Sequence, residues 1–398
     1  MSKLFPVYEV GSLPKLNARV KLTRGQDITD QDINEVKSLS RRFGVDSSEA
    51  LELLERNKIN HGKVTPEEIY ALTEFNAILF LRLQESVGLD FVYDGEARRA
   101  EMYQHVARRI EGFEQLPEMI RSRGPDSWSM SVCVAEPRLI EGSLDSLIER
   151  EFNFVKAKAN RRIKVPIDDP YMIAVMSDSK YYLELLRPKY KNDPRRLRYE
   201  VSRAFTLALA KNVIRPQVEA IVAGGAKWIQ LDIPAATLHL GHIPILVEGI
   251  NKVVKGIEDV KFSLHMCYPR RFSLTGKKGY DLLFPDILGL NKSVDHLSLE
   301  LANADQYETD LAVFAKNREA RVFEIGAGVI DITLEQQQRG VLETPVIIRD
   351  RLLRSAKILG DPRLVYAAPD CGLRQLRLDR CLSIYEVLVE GADLARKG

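Results

Sequence analysis

Eight short apolar runs, each ending in small or polar residues, alternate with longer amphipathic stretches along this 398-residue chain. They are PVYEVGS (6–12), FVYDGE (91–96), YMIAVMS (171–177), WIQLDIPA (228–235), KFSLHMC (261–267), HLSLELA (296–302), VFEIGAGV (322–329) and LVYAAPDCG (364–372). Such runs, bounded by turn residues and separated by helical patterns, read as the strands of a parallel α/β protein. Their number predicts a closed (β/α)8 TIM barrel. Polar residues stand at the C-terminal ends of the runs, where barrel active sites are built. A doubly wound open sheet is the alternative. No G-x-G-x-x-G follows a strand to favour a dinucleotide site, and GGAKWIQ reads as a helix stop leading into a strand.

The helices carry their own signals. Thr65-Pro66-Glu67-Glu68 opens one: Thr65 suits the N-cap, Pro66 the first turn, and Glu68 completes a capping box. Ile69, Leu72, Leu79, Leu83 and Val87 follow at three- and four-residue steps. A second helix is expected over 204–223, stopped by Gly224-Gly225. Residues 13–64 are expected to form an extended N-terminal βα connection with helices of its own. Residues 114–165 include SWSMSVCVAEPRLIEG, which alternates like a hairpin arm and is placed as an insertion after the second barrel strand. No Pro/Gly/Ser-rich linker interrupts the chain, so one barrel domain is expected over 1–398.

Composition narrows the function. A net charge of +2 gives no reason to expect a nucleic-acid partner, and short basic pairs such as Arg161-Arg162 and Arg195-Arg196 read as solvated helix faces. There is no run of 18 apolar residues and no signal-peptide core at the N-terminus, so no membrane partner and a cytoplasmic location are expected. The four cysteines, Cys133, Cys267, Cys371 and Cys381, are far apart and form no CxxC, which argues against a disulfide framework and leaves thiols free for metal.

Three strand ends hold a ligand set that Zn²⁺ prefers: His265 and Cys267 in KFSLHMC, Glu300 in HLSLELA, and Cys371 in YAAPDCG. On a strand, His265 and Cys267 point the same way. Taken singly, a histidine beside an apolar strand reads as a hydrogen-bonded core residue and a cysteine as a small hydrophobe. Glu300 favours the metal, because a carboxylate flanked by Leu297, Leu299 and Leu301 is costly unless it is paired, metal-bound or at a wet strand end.

At these residues the chain resembles the C-terminal catalytic barrel of cobalamin-independent methionine synthases, in a short, single-barrel form. The resemblance runs from Val7 to the last helix through VGSLP (10–14), DGEARRAEM (94–102), LDIPA (231–235), HMC (265–267), LSLE (297–300), GAGVID (326–331) and PDCGL (369–373). HMC with PDCGL is the specific combination. The resemblance implies a zinc-dependent methyltransferase of methionine biosynthesis that methylates homocysteine, with His265, Cys267, Glu300 and Cys371 as zinc ligands. It places the substrate carboxylate at Ser12 and the backbone of Val10 and Gly11, and the ammonium at Glu96 and Asp232. Read without the resemblance, Glu96 would be a salt-bridge partner of Arg98 or Arg99, and Asp232 a turn residue before Pro234. Zinc suits thiol chemistry, since coordination deprotonates a thiol near neutral pH and leaves its sulfur nucleophilic.

The departures from the family cluster on the methyl-donor side. Where the family reads GPGVYDIHS, with a histidine that helps protonate methyltetrahydrofolate, this chain reads GAGVIDITL with Thr333. Ile233 replaces a family carboxylate, and no Trp occurs in DPYMIAVMSDSKYY (169–182), where Tyr181 or Tyr182 could stand in for the pterin-stacking ring. Threonine is no general acid near neutral pH. A reduced corrinoid leaves without a proton, so methylcobalamin, free or on a corrinoid carrier protein, is the expected donor. The chain has no D-x-H-x-x-G motif, so a corrinoid would arrive with a partner. Methyltetrahydrofolate as donor, another thiol as acceptor, and a non-enzymatic barrel are the competing readings.

Overall fold

The computed structural model describes residues 3–60, 64–99, 101–123, 126–143, 151–234, 236–268, 277–302, 304, 306–333 and 343–398. Ala100, Ala235, Leu334 and parts of the 114–165 insertion, all within segments discussed above, lie outside them. The strands in chain order are β1 (Phe91–Val92), β2 (Ile110–Arg123), β3 (Asp126–Leu139), β4 (Arg162–Ile163), β5 (Val165–Asp168), β6 (Trp228–Asp232), β7 (Lys261–Met266), β8 (Val294–Leu299), β9 (Glu324–Gly328) and β10 (Val365–Ala368).

Parallel pairing runs β5-β6-β7-β8-β9-β10, and β1 pairs with β4, which leads through Lys164 into β5. Val7 bridges to Ala367 and Tyr8 to Phe91. These bridges close the ring: 7–8, β1, β4/β5, β6, β7, β8, β9 and β10 make eight strand segments among the described residues. The fold is therefore the expected (β/α)8 barrel. Between β1 and β4 the antiparallel hairpin β2–β3 is inserted after the second barrel segment, starting at Ile110 rather than at 114. Helices Asn17–Thr23, Asp30–Phe43 and Ser48–Asn60 fill the N-terminal connection.

The local rules act as expected at the helix ends. Thr65 accepts a hydrogen bond from the Glu68 N–H and the reciprocal Glu68 contact is made, so the capping box holds the start of Pro66–Val87, and Gly88 ends it in the left-handed region. The helix expected over 204–223 starts earlier, at Pro194, where Asp193 caps it, and passes through a π-turn at Ala210–Ile214 before Arg215–Ala223. No described helix is long and apolar enough to cross a membrane.

One strand assignment is corrected. YMIAVMS is not a strand but the helix Pro170–Met176, begun by the Asp169 side chain accepting from the Met172 N–H at 2.7 Å with Pro170 in the first turn. Its residues Tyr171, Met172, Ile173 and Ala174 are all buried, so no polar stripe marks it as a helix. The true strand is 162–168, disguised by Lys164, Pro166 and Asp168. Those residues are tolerated because this face of the strand lines a polar barrel interior.

That interior is layered. At the N-terminal ends of the strands Tyr8, Trp228, His296 and Tyr366 meet edge to face, with ring centroids 5.3 Å (Tyr8–Trp228), 5.1 Å (Trp228–His296) and 4.9 Å (His296–Tyr366) apart. The Tyr8 hydroxyl donates to Ser298 Oγ at 2.7 Å. Above it the buried Lys164 ammonium donates to the Val10 carbonyl at 2.8 Å and to Gln230 Oε1 at 2.9 Å, with Glu9 Oε1 3.8 Å away. The uppermost inward residues are Asp168, Asp232, His265 and Glu300. Tyr8 crosses the interior only because β9 has glycine there: a Cβ on Gly326 would overlap the Tyr8 hydroxyl and press on His296 Cε1 at 2.8 Å. Gly326→Ala is expected to destabilise the protein by about 1–3 kcal/mol through overpacking. Gly241→Ala, which meets nothing within 4 Å, should change stability by less than about 0.5 kcal/mol. Denaturant melts of the two variants check this, and equal midpoints would show that the Tyr8 layer is not a tight closure.

Candidate active site at the barrel mouth

Strands β7 and β10 deliver three ligand atoms to one point. His265 Nε2 lies 3.4 Å from Cys371 Sγ and 3.9 Å from Cys267 Sγ, and the two sulfurs are 3.8 Å apart. All three atoms lie within 4.8 Å of one another and could hold a metal ion. Two zinc–sulfur bonds of about 2.3 Å and one zinc–nitrogen bond of about 2.05 Å in a tetrahedron would put sulfurs about 3.8 Å apart and nitrogen about 3.6 Å from sulfur. The observed separations match that spacing, so the donor set fits a tetrahedral N/S ion. His265 and Cys267 are buried and Cys371 is half-buried, which leaves the cluster approachable from one side.

Glu300 lies just outside this group. Its Oε2 accepts the Tyr268 N–H at 3.0 Å. Two buried side chains tie the strand ends around it. The Tyr280 hydroxyl accepts the Glu300 N–H at 3.0 Å, and its own proton faces the carbonyls of Met266 and Glu300, each 3.1 Å away. Asp370, next to Cys371, accepts the N–H groups of Leu301 and Ala302 at 2.9 and 2.8 Å. Tyr280 thus joins β7 to β8, and Asp370 joins β10 to β8. Neither was singled out from the sequence: Tyr280 lies between the expected strands, and nothing marked Asp370 apart from its place in PDCGL.

The residues expected to hold an amino-acid end converge beside the cluster. Asp232 is the Cα partner of His265 across β6 and β7. Its Oδ1 accepts from Gln230 Nε2 at 2.7 Å, and the same amide nitrogen donates to the Val10 carbonyl at 2.7 Å. Glu96 packs against Gly11, where a Cβ would come within 2.6 Å of Glu96 Oε1. Glu96 itself takes φ +55°, a strained left-handed backbone for a residue with a side chain, and Gly95 before it is also left-handed. Lys15, donating to the Glu96 carbonyl, and Asp94, accepting the Glu96 N–H at 2.9 Å, hold that turn. Ser12 abuts the loop that carries Cys371: a Cβ on Gly372 would come within 2.6 Å of Ser12 Oγ, and the Ser12 carbonyl accepts the Leu373 N–H at 2.7 Å.

The charges are mutually adjusted. Burial pushes the Asp232 carboxyl up to about 7, opposed by His265 and Lys164 and reinforced by Glu96. Burial would lower His265, but the Cys371 sulfur and the Asp232 carboxylate beside it hold it up to about 9 in the metal-free protein. Arg99 is shared: its Nη2 donates to Glu151 and to the Pro166 carbonyl at 2.7 Å, while its Nη1 forms an ion pair with Glu96 Oε1 at 3.8 Å, the salt-bridge partner that the sequence also allowed for Glu96. Thr333, after β9, donates its N–H to Asp331 Oδ1 at 2.8 Å. Ile233 is fully buried. Tyr182 is buried in a stack on Phe205, with centroids 5.4 Å apart, so it is a core residue, while Tyr181 packs edge-on against it. Sequence reasoning also passed over Asp168, because the strand it ends, Val165–Asp168, was not recognised as one.

A (β/α)8 barrel with a thiol–imidazole cluster at its mouth is the class this geometry defines, and comparison with known proteins gives the family. Residues 192–393 match the family model described as cobalamin-independent synthase, catalytic domain. The chain is 30% identical over 339 residues to a methionine synthase of Pyrococcus abyssi, covering 84% of this chain and 86% of that protein. It is 32% identical over 331 residues to one of Thermoplasma volcanium, covering 77% and 84%. The solved B12-independent methionine synthase of Shewanella sp. W3-18-1, in complex with selenomethionine, superposes with a TM-score of 0.69 at 18% identity, covering 99% of this chain and 98% of that one. The chain belongs to the cobalamin-independent methionine synthase family and is a methyltransferase.

The cluster predicts which cysteines matter for metal. Elemental analysis should find stoichiometric metal in the unmodified protein and little in Cys267→Ala or Cys371→Ala. Cys133→Ala and Cys381→Ala should keep it: burial pushes the Cys133 thiol up to about 12 and raises Cys381 likewise, and their sulfurs face the carbonyls of Ala135 and Leu373. Full retention in both Cys267→Ala and Cys371→Ala would move the site elsewhere.

Proposed function

We propose that the chain methylates the sulfur of homocysteine to give methionine. In this reading the metal is zinc, held by His265, Cys267, Cys371 and Glu300, and one barrel spanning 1–398 carries the reaction. The observation that supports it most is the register of β6 on β7, which sets Asp232 beside His265. A carboxylate suited to an α-ammonium thus stands one strand from a cluster suited to a thiol. Homocysteine has those two groups at its two ends. Glu96 and Asp232 would take the ammonium, and Ser12 with the backbone of Val10 and Gly11 the carboxylate, because a cation needs anionic acceptors and a carboxylate needs N–H or O–H donors. Bound to the cluster, zinc would hold the substrate sulfur as a thiolate near neutral pH. Glu300, held by the Tyr268 N–H beside the other three, suits a fourth ligand whose hard oxygen gives way to an incoming sulfur.

The methyl donor in this reading is methylcobalamin or a methylated corrinoid protein. The sulfur–carbon bond forms as the cobalt–carbon bond breaks, both electrons staying on cobalt, and no proton is needed. A tetrahydrofolate donor needs its leaving nitrogen protonated, and neither Thr333 nor the buried Ile233 supplies an acid. Of the two tryptophans, Trp228 lies in the N-terminal layer of the barrel, and Trp128, on the hairpin, donates its indole N–H to the Met176 carbonyl at 3.2 Å. Zinc-loaded protein with homocysteine should form methionine from methylcobalamin and at least ~100-fold more slowly from 5-methyltetrahydrofolate, the lower range of general-acid contributions. Equal rates from the two donors would overturn the donor assignment.

A further inference from the structure

A third inward carboxyl stands at the mouth beside Glu96 and Asp232. Asp168 ends β5 and is the Cα partner of Asp232 in β6. Paired residues of adjacent parallel strands present their side chains to the same face. For Asp232 that face is the barrel interior, as its contact with Gln230 and Gln230's contact with the Val10 carbonyl show. Two residues earlier on the same strand, the Pro166 Cβ lies 3.9 Å from where a Cβ on Gly11 would be, on the same interior wall as Glu96. Asp168 therefore borders the space enclosed by Gly11, Glu96 and Asp232.

Asp168 is only 3% exposed, yet its Oδ1 has no hydrogen-bond partner. Its neighbour differs: Asp169 Oδ1 caps the following helix through the Met172 N–H. A buried carboxyl oxygen without a donor is costly, and a native structure keeps one where something else satisfies it. The nearby cations are spoken for, and burial keeps His105 neutral. Arg99 donates to Glu151 and the Pro166 carbonyl, and Lys164 donates to Val10 and Gln230. The wall of the pocket thus has more acceptors than donors, and what it lacks is a small cation carrying several N–H groups. An α-ammonium has three N–H donors, as a lysine ammonium does, and Glu96 and Asp232 provide acceptors for two of them.

We propose that Asp168 is a third acceptor for the substrate's α-ammonium and a determinant of specificity for a free amino group; this rests on the reading of homocysteine as substrate. Burial holds the Asp168 carboxyl well above the usual carboxylate range, against the pull of Arg99 and with the push of Glu101, Asp232 and Glu96. An arriving ammonium supplies the missing counter-charge.

The test compares homocysteine with its amino-less analogue, 4-mercaptobutanoate, by titration calorimetry on zinc-loaded protein. Asp168→Asn should weaken homocysteine about 10- to 100-fold, the range for losing one charge-assisted hydrogen bond, and leave the analogue's affinity unchanged. Asp168→Ser should do the same, and both variants should keep the metal content and melting temperature of the parent. Unchanged homocysteine affinity in both variants, or equal weakening of the two ligands, would overturn the inference alone. An unmodified protein that does not prefer homocysteine over the analogue would overturn the substrate reading and the inference with it.

Discussion

The site depends on the parallel register at the C-terminal ends of four barrel strands. β5 sets Asp168 against Asp232, β6 sets Asp232 against His265, and β7 pairs Met266 with Leu299, one residue before Glu300. A slip of one residue would turn each of these side chains to the other face of its strand. The closed ring prevents that slip, since none of its described strand segments has a free edge along which to move. Ring closure between residues 7–8 and both Ala367 and Phe91 then brings Ser12 against Gly372, beside Cys371. The residues proposed to hold an amino-acid end and the thiol–imidazole cluster thereby become neighbours although they come from distant parts of the chain.

The interior pays for this with buried polarity that a purely structural barrel would avoid. Lys164 is fully buried, and its ammonium is kept by two hydrogen bonds and by Glu9, whose carboxyl burial pushes up to about 8. Beneath that layer, Tyr8, Trp228, His296 and Tyr366 close the N-terminal end edge to face. The barrel is thus plugged at one end by aromatic rings, with the Lys261–Glu324 ion pair upon them, and lined at the other by buried carboxyls. In the proposed reading, the buried carboxyls Glu96, Asp168 and Asp232 there receive the substrate's ammonium. Tyr280 and Asp370 add rigidity where it matters most, joining the ends of β7, β8 and β10 around the ligand cluster.

Much of this was legible in the sequence. HMC and PDCGL could be read because the two motifs occur together, although each residue alone reads as core, and seven of the apolar runs coincide with barrel segments. Thr65 to Glu68 announced its helix because capping is a local interaction. The failures have one cause, dependence on partners far away in the chain. Lys164 and Pro166 hid a strand, because only the other strands make its inner face polar. Tyr171 to Ala174 hid a helix, because it is surrounded by other elements and shows no polar side. Asp168 and Tyr280 gain their meaning from Asp232, Glu96 and Glu300, and no spacing along the chain connects them.

The central claim is that the thiol–imidazole cluster binds zinc and that the substrate's sulfur joins it. X-ray absorption at the zinc edge, on protein with and without homocysteine, tests this most directly. The account predicts two sulfur and two nitrogen or oxygen neighbours without substrate, becoming three sulfur neighbours at about 2.3 Å and one nitrogen when homocysteine is bound. A sulfur count that stays at two while homocysteine is demonstrably bound would contradict it.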